Sequence, residues 1–226
     1  MSFNLFHQSF WAQSAGQLPI ELYAKGHNSN RLMLQNPLLF IGGVHGDEPE
    51  GVRLAEEFLQ WLKTQNPESL KDWILIPCLN VDGYLHNSRT NAHGVDLNRN
   101  FPSQDWIKNY EKTRYFPGEA PGSEPEVQAL VQLIHETQPA LIVHFHSWEP
   151  CIVYTGAPAQ APAQLLQEGN SYEVREDIGY PTPGSLGNFG WQDLKIPVIC
   201  IEEQEKIDLN LVWPHFSSGL KKLVSR

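Results

Sequence analysis

The sequence has few residues that could cross-link it and no run of residues that could anchor it in a membrane. Its three cysteines, Cys78, Cys151 and Cys200, are an odd number without paired spacing. A disulfide framework is therefore not expected, and reduced thiols in a cytoplasm agree better with this count. The first residues lack a basic stretch followed by an apolar one, and no apolar run reaches transmembrane length. We therefore expect a cytoplasmic protein without a membrane partner.

Basic residues are also scarce. The sequence has 16 lysines and arginines and 26 aspartates and glutamates, which gives a net charge of −10. This balance argues against nucleic acids and anionic membranes as partners. A chain of 226 residues with 41% hydrophobic content is long and apolar enough for one large core, so we predict a single domain over residues 1–226.

Apolar strand-like runs alternate with amphipathic helical patterns along the chain. This alternation predicts an α/β domain with a mixed, mostly parallel sheet and helices on both faces. Pro214 is expected near the start of the last helix or at a kink in it. The predicted strands cover residues 38–43, 73–77, 140–145 and 196–201, and the predicted helices cover residues 52–62, 123–134 and 209–224.

The helix that begins near residue 123 carries a start signal of its own. Ser123-Glu-Pro-Glu126 has the spacing of a capping box, in which the two outer side chains bond the helix start reciprocally. Glu124 and Glu126 are accordingly assigned to the first turn or outer face of this helix. The stretches 80–122 and 177–195 are rich in Gly, Pro and Asn, and loops of that length are usually functional.

Four polar residues lie at or just beyond the ends of apolar strand-like runs. They are His45, Asn80, His146 and Glu202. In an open α/β sheet, ligands bind beyond the carboxyl ends of the strands. This shared placement predicts that the four side chains surround one site.

The first of these strand ends carries a candidate metal-binding motif. His45 and Glu48 follow the strand and a Gly42-Gly43 pair, and imidazole nitrogen with carboxylate oxygen suits Zn²⁺. A catalytic zinc needs a third protein ligand, which should come from a distant strand end. We assign this ligand to His146. His144 lies on the same face one pleat deeper and is the alternative, although it is also typical of a core histidine.

Glu202 is the candidate general base. It closes an apolar run, where partial loss of solvent would raise its pKa, and a base assists attack by zinc-bound water. Its neighbour Glu203 must face the other way if the strand continues. The alternative is that both are solvated acids at a strand end.

The segment from Asn91 to Pro102 is the most distinctive string of the chain. Arg89, Asn98 and Arg99 offer donors for a substrate carboxylate or a developing oxyanion. Asp96 could accept the spare N–H of a zinc-bound histidine. A surface loop with solvated arginines is the alternative, but its apolar flanks disfavour it.

Taken together, these motifs resemble the zinc carboxypeptidase family, in a pattern that extends from about residue 38 to the end of the chain. The resemblance implies one zinc ion, the corresponding fold and hydrolysis of an amide next to a free carboxylate. Arg89 would polarise the scissile carbonyl, Asn98 and Arg99 would hold the carboxylate, and Tyr180 would close over it. The matching positions are His45 and Glu48, Gly94 to Asn100, His146-Ser147, Tyr180, and Glu202.

Within this family the chain looks most like the murein peptide amidases, which cleave the γ-D-glutamyl–meso-diaminopimelate bond of small peptides from peptidoglycan in cell-wall recycling. Three positions depart from that pattern: Trp148 in His-Ser-Trp, His93 and Glu203. They leave the metal and base assignments unchanged and bear on the substrate. The alternatives are a carboxypeptidase acting on α-linked peptides, an N-acyl amino acid deacylase and, from another class, a non-catalytic binding module.

Overall fold

A computed structural model describes residues 5–26 and 34–226. The chain begins with an antiparallel strand pair, continues with interspersed strands and helices, and ends with a helix. In chain order they are β1 (Leu5–Gln13), β2 (Pro19–Lys25), β3 (Leu38–Ile41), α1 (Pro49–Lys63), β4 (Trp73–Ile76), α2 (Val81–His86), α3 (Pro125–Thr137), β5 (Leu141–Trp148), β6 (Cys151–Thr155), α4 (Gln160–Leu166), β7 (Glu173–Arg175), α5 (Leu186–Asn188), β8 (Val198–Gln204) and α6 (Leu209–Val224).

The strands form one mixed sheet. Within residues 5–26 and 34–226 it has eight strands in the order β1-β2-β4-β3-β5-β8-β6-β7. The central strands β4, β3, β5 and β8 run parallel, and β2 and β6 flank them antiparallel. The carboxyl ends of β3, β5 and β8 therefore lie side by side at one edge of the sheet, where ligands bind in open α/β sheets.

Helices cover both faces of this sheet. Alternate residues of β3 point to opposite faces, as in any strand: Phe40 packs with α1, α4 and α6, whereas Leu39 packs with α3. Each central strand is consequently buried on both sides, which explains its continuous apolar sequence. The predicted α/β architecture is confirmed by this arrangement.

Two predicted strands end later than expected. β5 continues to Trp148, and β8 begins after Pro197 and continues to Gln204. Pro197 lacks the N–H that a central strand needs, which delays the start of β8. The later ends follow from pairing, because Ser147 and Trp148 remain in register with Glu203 and Gln204. Glu202 and Glu203 are therefore buried residues of a strand, and the alternative of solvated acids at a strand end is wrong.

Two helix signals have a different outcome in the structure. The N-cap of α3 is Glu124, which makes no side-chain cap bond, and Ser123 Oγ instead donates to Glu124 Oε1 at 2.7 Å. Glu126 lies in the first turn of α3, as predicted, but it accepts a hydrogen bond from Ala15 N at 2.9 Å instead of completing a capping box, and both acids are buried rather than on an outer face. Helix α6 has the predicted limits, and Pro214 lies inside it, at the sixth of its 16 residues.

The two outer strands on each side of the sheet were not predicted. β1 and β2 carry alternating polar residues, and β6 and β7 lie in a region that lacks a long apolar run. These short or partly polar sequences resemble loops more than the continuous apolar runs of the central strands do. Among the helices of residues 5–26 and 34–226, none has both the length and the apolar character required to span a bilayer.

Candidate metal centre and active site

The chain leaves β3 through two glycines that allow a tight turn. A Cβ at Gly42 would lie 2.3 Å from the carbonyl oxygen of Pro77, and Gly43 has a φ of +58°, which favours glycine. Helix α1 then begins with Pro49 in its first turn and Glu48 as its N-cap. This geometry holds His45 and Glu48 in one turn directly above the carboxyl ends of the parallel strands.

His45, Glu48 and His146 converge on one point. His45 Nδ1 lies 2.7 Å from Glu48 Oε1, and His146 Nδ1 lies 2.7 Å from Glu48 Oε2. The two Nδ1 atoms lie 3.0 Å from each other. All three side chains are buried, and these two nitrogens and one carboxylate form the donor set expected for a catalytic zinc ion.

The other nitrogen of each imidazole has a partner that orients the ring. His45 Nε2 lies 3.0 Å from Asp96 Oδ1, and His146 Nε2 lies 2.8 Å from His144 Nδ1. His144, His146 and Cys200 also form a group of ligand types within 4.8 Å of one another. Because His146 directs Nε2 towards His144 and Nδ1 towards Glu48, the geometry favours His146 as the ligand and His144 as its support.

Arg89 links the two carboxylates of this centre. Its Nε donates to Asp96 Oδ2 at 2.9 Å and its Nη1 donates to Glu48 Oε1 at 3.2 Å. Burial alone would raise the pKa of Asp96 and Glu48, but the nearby charges outweigh it and hold both pKa values well below their usual range. The main opposing charge is Arg89 for Asp96 and His45 for Glu48.

Glu202 is the register partner of His146 on the neighbouring strand and is 6% exposed. Burial raises the pKa of Glu202 to about 8, and the nearby Glu48 carboxylate adds to this effect. Cys200 Sγ donates to Glu202 Oε1 at 3.2 Å, and burial raises the pKa of this thiol well above its usual value. Glu202 is thus buried beside the ligand triad and held by a neutral donor.

Glu203 faces the opposite side of the sheet, as strand alternation requires. Its carboxylate accepts from the Tyr172 hydroxyl and lies 2.9 Å from Nδ1 of His215 on α6. It is buried there, away from the ligand triad. Although Glu203 follows Glu202 in the sequence, it packs on the other face of the sheet.

The remaining predicted residues line the same cleft, which has a volume of about 520 Å³. Asn98 Oδ1 accepts from Leu186 N at 2.9 Å, and Arg99 is buried with Nη1 donating to Asn98 O at 2.8 Å. Tyr180 is 46% exposed and meets Trp148 edge to face, with ring centroids 5.6 Å apart. The cleft thus brings together the candidate metal ligands His45 and Glu48, Glu202 and the predicted substrate-binding residues.

Glu50 joins the segments that carry the triad and Glu202, and it was not predicted from the sequence. Its Oε2 accepts from Ser147 Oγ at 2.7 Å and its Oε1 accepts from Lys206 N at 2.7 Å. The next residue, Gly51, touches β5 so closely that a Cβ would lie 2.3 Å from the carbonyl oxygen of Phe145. No sequence motif marks the position two residues after Glu48, because the contacts of Glu50 depend on segments far along the chain.

Arg114 and Tyr115 also line the cleft and were not predicted. The ring of Tyr115 lies next to three guanidinium groups, with Cζ atoms at 5.2 Å for Arg89, 5.6 Å for Arg114 and 5.9 Å for Arg99. Nothing in the sequence near residue 114 signals this contact, because the segment is polar and irregular.

Comparison with known proteins supports the resemblance to zinc carboxypeptidases. The sequence model described as zinc carboxypeptidase matches residues 11–186. The chain is 37% identical over 176 residues to murein peptide amidase A of Escherichia coli strain K12, covering 73% of this chain and 69% of that protein. It is 32% identical over 176 residues to the protein of the same name from Vibrio campbellii, covering 73% of this chain and 68% of that protein.

Solved structures show the same architecture. Murein-tripeptide amidase MpaA from Escherichia coli O157 matches with a TM-score of 0.77 at 29% identity, over 96% of this chain and 91% of that one. Thrombin-activatable fibrinolysis inhibitor matches with a TM-score of 0.80 at 19% identity, over 97% of this chain and 67% of that one, which is a likeness of fold.

Proposed function

This chain belongs to the zinc carboxypeptidase family, and we propose that it hydrolyses the γ-D-glutamyl–meso-diaminopimelate amide of small peptides derived from peptidoglycan. The observation that carries the proposal is the convergence of His45, Glu48 and His146 within 3.0 Å in a cleft that also holds Arg89 and Arg99. The similarity to two proteins named murein peptide amidase A supports this choice of substrate.

We propose that one zinc ion binds His45, Glu48 and His146. The donor set suits zinc, and the outward nitrogens of both imidazoles are already paired, so the inward nitrogens are directed at a common point. When bound there, zinc would lower the pKa of a coordinated water towards about 7 and polarise the scissile carbonyl.

The protein side chains divide the remaining tasks. Glu202 would take the proton of the attacking water, a role that is supported by its burial beside His146. Arg89 would donate to the carbonyl oxygen as it becomes negative. Asn98 and Arg99 would hold the carboxylate next to the amide, and Tyr180 would cover it from the rim of the cleft.

A carboxypeptidase that acts on α-linked peptides is the second candidate. Trp148 in the His-Ser-Trp sequence favours it, and a carboxylate beside the scissile amide is common to both substrates.

We retain the proposal of a cytoplasmic enzyme, which is supported by the absence of disulfides among Cys78, Cys151 and Cys200 in the described residues.

The test is to incubate the zinc-loaded protein with L-Ala-γ-D-Glu-meso-diaminopimelate and with its α-linked isomer. We expect release of diaminopimelate from the γ-linked peptide with a kcat/KM at least about tenfold higher than from the α-linked one. Glu202→Gln should lower kcat by about three orders of magnitude or more while zinc is retained. Preference for the α-linked peptide would establish the second candidate. Failure to cleave either peptide with one equivalent of zinc bound would overturn both.

A further inference from the structure

Three arginines surround one tyrosine in the cleft, and the proposed function uses only two of them. The guanidinium groups of Arg89, Arg99 and Arg114 all lie within 5.9 Å of the ring centroid of Tyr115. A cation–π contact of this kind helps to hold a guanidinium in place and leaves its N–H groups available for hydrogen bonds. Arg114 therefore belongs to the same cationic surface as the other two.

Arg114 differs from the other two arginines in what it contacts. Arg89 and Arg99 are buried or nearly so and bond to Asp96 and to Asn98 O, respectively. The Arg114 side chain is 52% exposed, and the one acceptor it contacts within residues 5–26 and 34–226 is Asp47, through an Nη2–Oδ2 pair of 3.3 Å. A guanidinium has five N–H donors, so most of those on Arg114 remain available to a ligand in the cleft.

Arg99 and Arg114 lie beside the same ring but have different anchors. Arg99 Nη1 donates to Asn98 O, so Arg99 is joined to the residue with which it is expected to hold the carboxylate next to the scissile amide. Arg114 contacts Asp47, the residue before Glu48 in the proposed metal-binding turn. The cleft thus holds two separately anchored cations, which suits a substrate with two separate carboxylates.

We propose that Arg114 binds the α-carboxylate of the γ-linked glutamyl residue. This inference rests on the proposed function. A γ-glutamyl residue enters the amide through its side-chain carboxyl, so its α-carboxylate stays free and anionic close to the scissile bond. In an α-linked residue that carboxylate forms the amide, and the side-chain carboxylate is free instead. A guanidinium in a partly enclosed cleft suits the free carboxylate of the γ-linked residue, because it binds carboxylates through paired hydrogen bonds.

The experiment compares two γ-linked peptides, L-Ala-γ-D-Glu-meso-diaminopimelate and the same peptide with its glutamyl α-carboxylate converted to an amide. We expect the wild-type protein to prefer the free acid by about 10- to 100-fold in kcat/KM. Arg114→Ala should lose about that factor on the free acid and almost nothing on the amide, so that the preference disappears. Arg114→Lys should keep part of it, because lysine supplies the charge without the fork.

Lys108→Gln is the matched control. Lys108 is a similarly exposed cation of the same segment, paired with Glu119 at 2.7 Å, but it does not line the cleft. Its removal should leave the preference unchanged. Equal cleavage of both peptides by the wild type, or an undiminished preference in Arg114→Ala, would overturn the role of Arg114 and leave the proposed function standing. If the zinc-loaded wild type cleaves neither peptide, both proposals fail.

Discussion

The segment between residues 80 and 126 contributes to two clusters of buried carboxylates that are held by different kinds of donor. In the first cluster, which holds the proposed metal ligands, Glu48 and Asp96 contact imidazoles and the Arg89 guanidinium. In a second cluster, here called the amide cluster, the donors are backbone N–H groups, hydroxyls, one imidazole and a side-chain amide. It comprises Ser14, Asp82, Asn91, Glu124 and Glu126.

The difference shows that burial of an acid does not by itself mark a functional site. Opposing charges lower the pKa of Glu48 and Asp96, whereas burial raises the pKa of Glu126 because its donors are mostly neutral. Glu48 also opens to the cleft, and Glu126 does not. A carboxylate that is paired with inward-facing imidazoles can share a metal ion with them, whereas one surrounded by backbone amides stabilises only the fold.

The largest expected effect separates the two clusters directly. His146→Ala should abolish stoichiometric zinc binding and lower kcat by about three orders of magnitude, because it removes one of three proposed ligands. Glu126→Gln should keep zinc and activity but lower stability by about 1–3 kcal/mol, because its new N–H₂ must face one of the two donors, Ala15 N or Asn91 Nδ2. Metal analysis and thermal unfolding measure both. Loss of zinc in Glu126→Gln would remove the distinction.

A smaller effect is expected from the residue that orients His45. Asp96→Asn should weaken zinc binding by about 10- to 100-fold, since partners of metal-bound histidines typically contribute that much. Asp82→Asn is the matched change in the amide cluster, where the carboxylate accepts from Ser14 Oγ and Gly16 N, and it should leave zinc affinity unchanged. Competition with a chelator gives both affinities. Equal weakening in the two variants would show that the effect is a general loss of structure.

The smallest effect concerns pH and the metal-free protein. The pKa of Glu202 is raised from 4.5 to about 8 in the folded state, so between these pH values the native chain holds a proton that the unfolded chain has lost. The stability contributed by this group is therefore complete below pH 4.5 and is lost as the pH rises to about 8.

Glu202→Gln lacks this titration. Its stability relative to the metal-free wild type should therefore increase between pH 5 and 8.5, by about 4 kcal/mol. Thermal unfolding of both proteins across that range provides the measurement. A difference that stays constant with pH would show that Glu202 titrates near its ordinary value. Glu126, whose pKa is also raised, is present in both proteins, so its titration cancels in the difference between them.

The central strands and the residues at their ends could be predicted from the sequence because local patterns encode them. A continuous apolar run identifies a strand buried on both faces, and the residue that follows it marks the carboxyl end. For this reason the sequence alone predicted that His45, His146 and Glu202 lie close together at one edge of the sheet. Asn98 and Arg99 were predicted on a different basis, as donors in an unusual polar string with apolar flanks.

The features that escaped prediction depend on partners far along the chain. The edge strands β1 and β7 gain their order from neighbours rather than from their own composition. Ser123 has the sequence of a capping residue, yet Glu126 accepts from Ala15 instead of completing the box. Glu50 and Arg114 carry no motif, and their contacts lie 97 and 67 residues away, at Ser147 and Asp47.

By itself, the sequence determined the α/β class, the donor types available for a metal and the strand ends on which they lie, because apolar periodicity and residue chemistry are local properties. Only the tertiary structure decided which histidine of β5 directs a nitrogen at Glu48, which acids are neutralised by cations and which arginines share a ring. Those outcomes depend on distances between segments that are remote in the chain, and such distances are set by packing of the whole sheet and its helices.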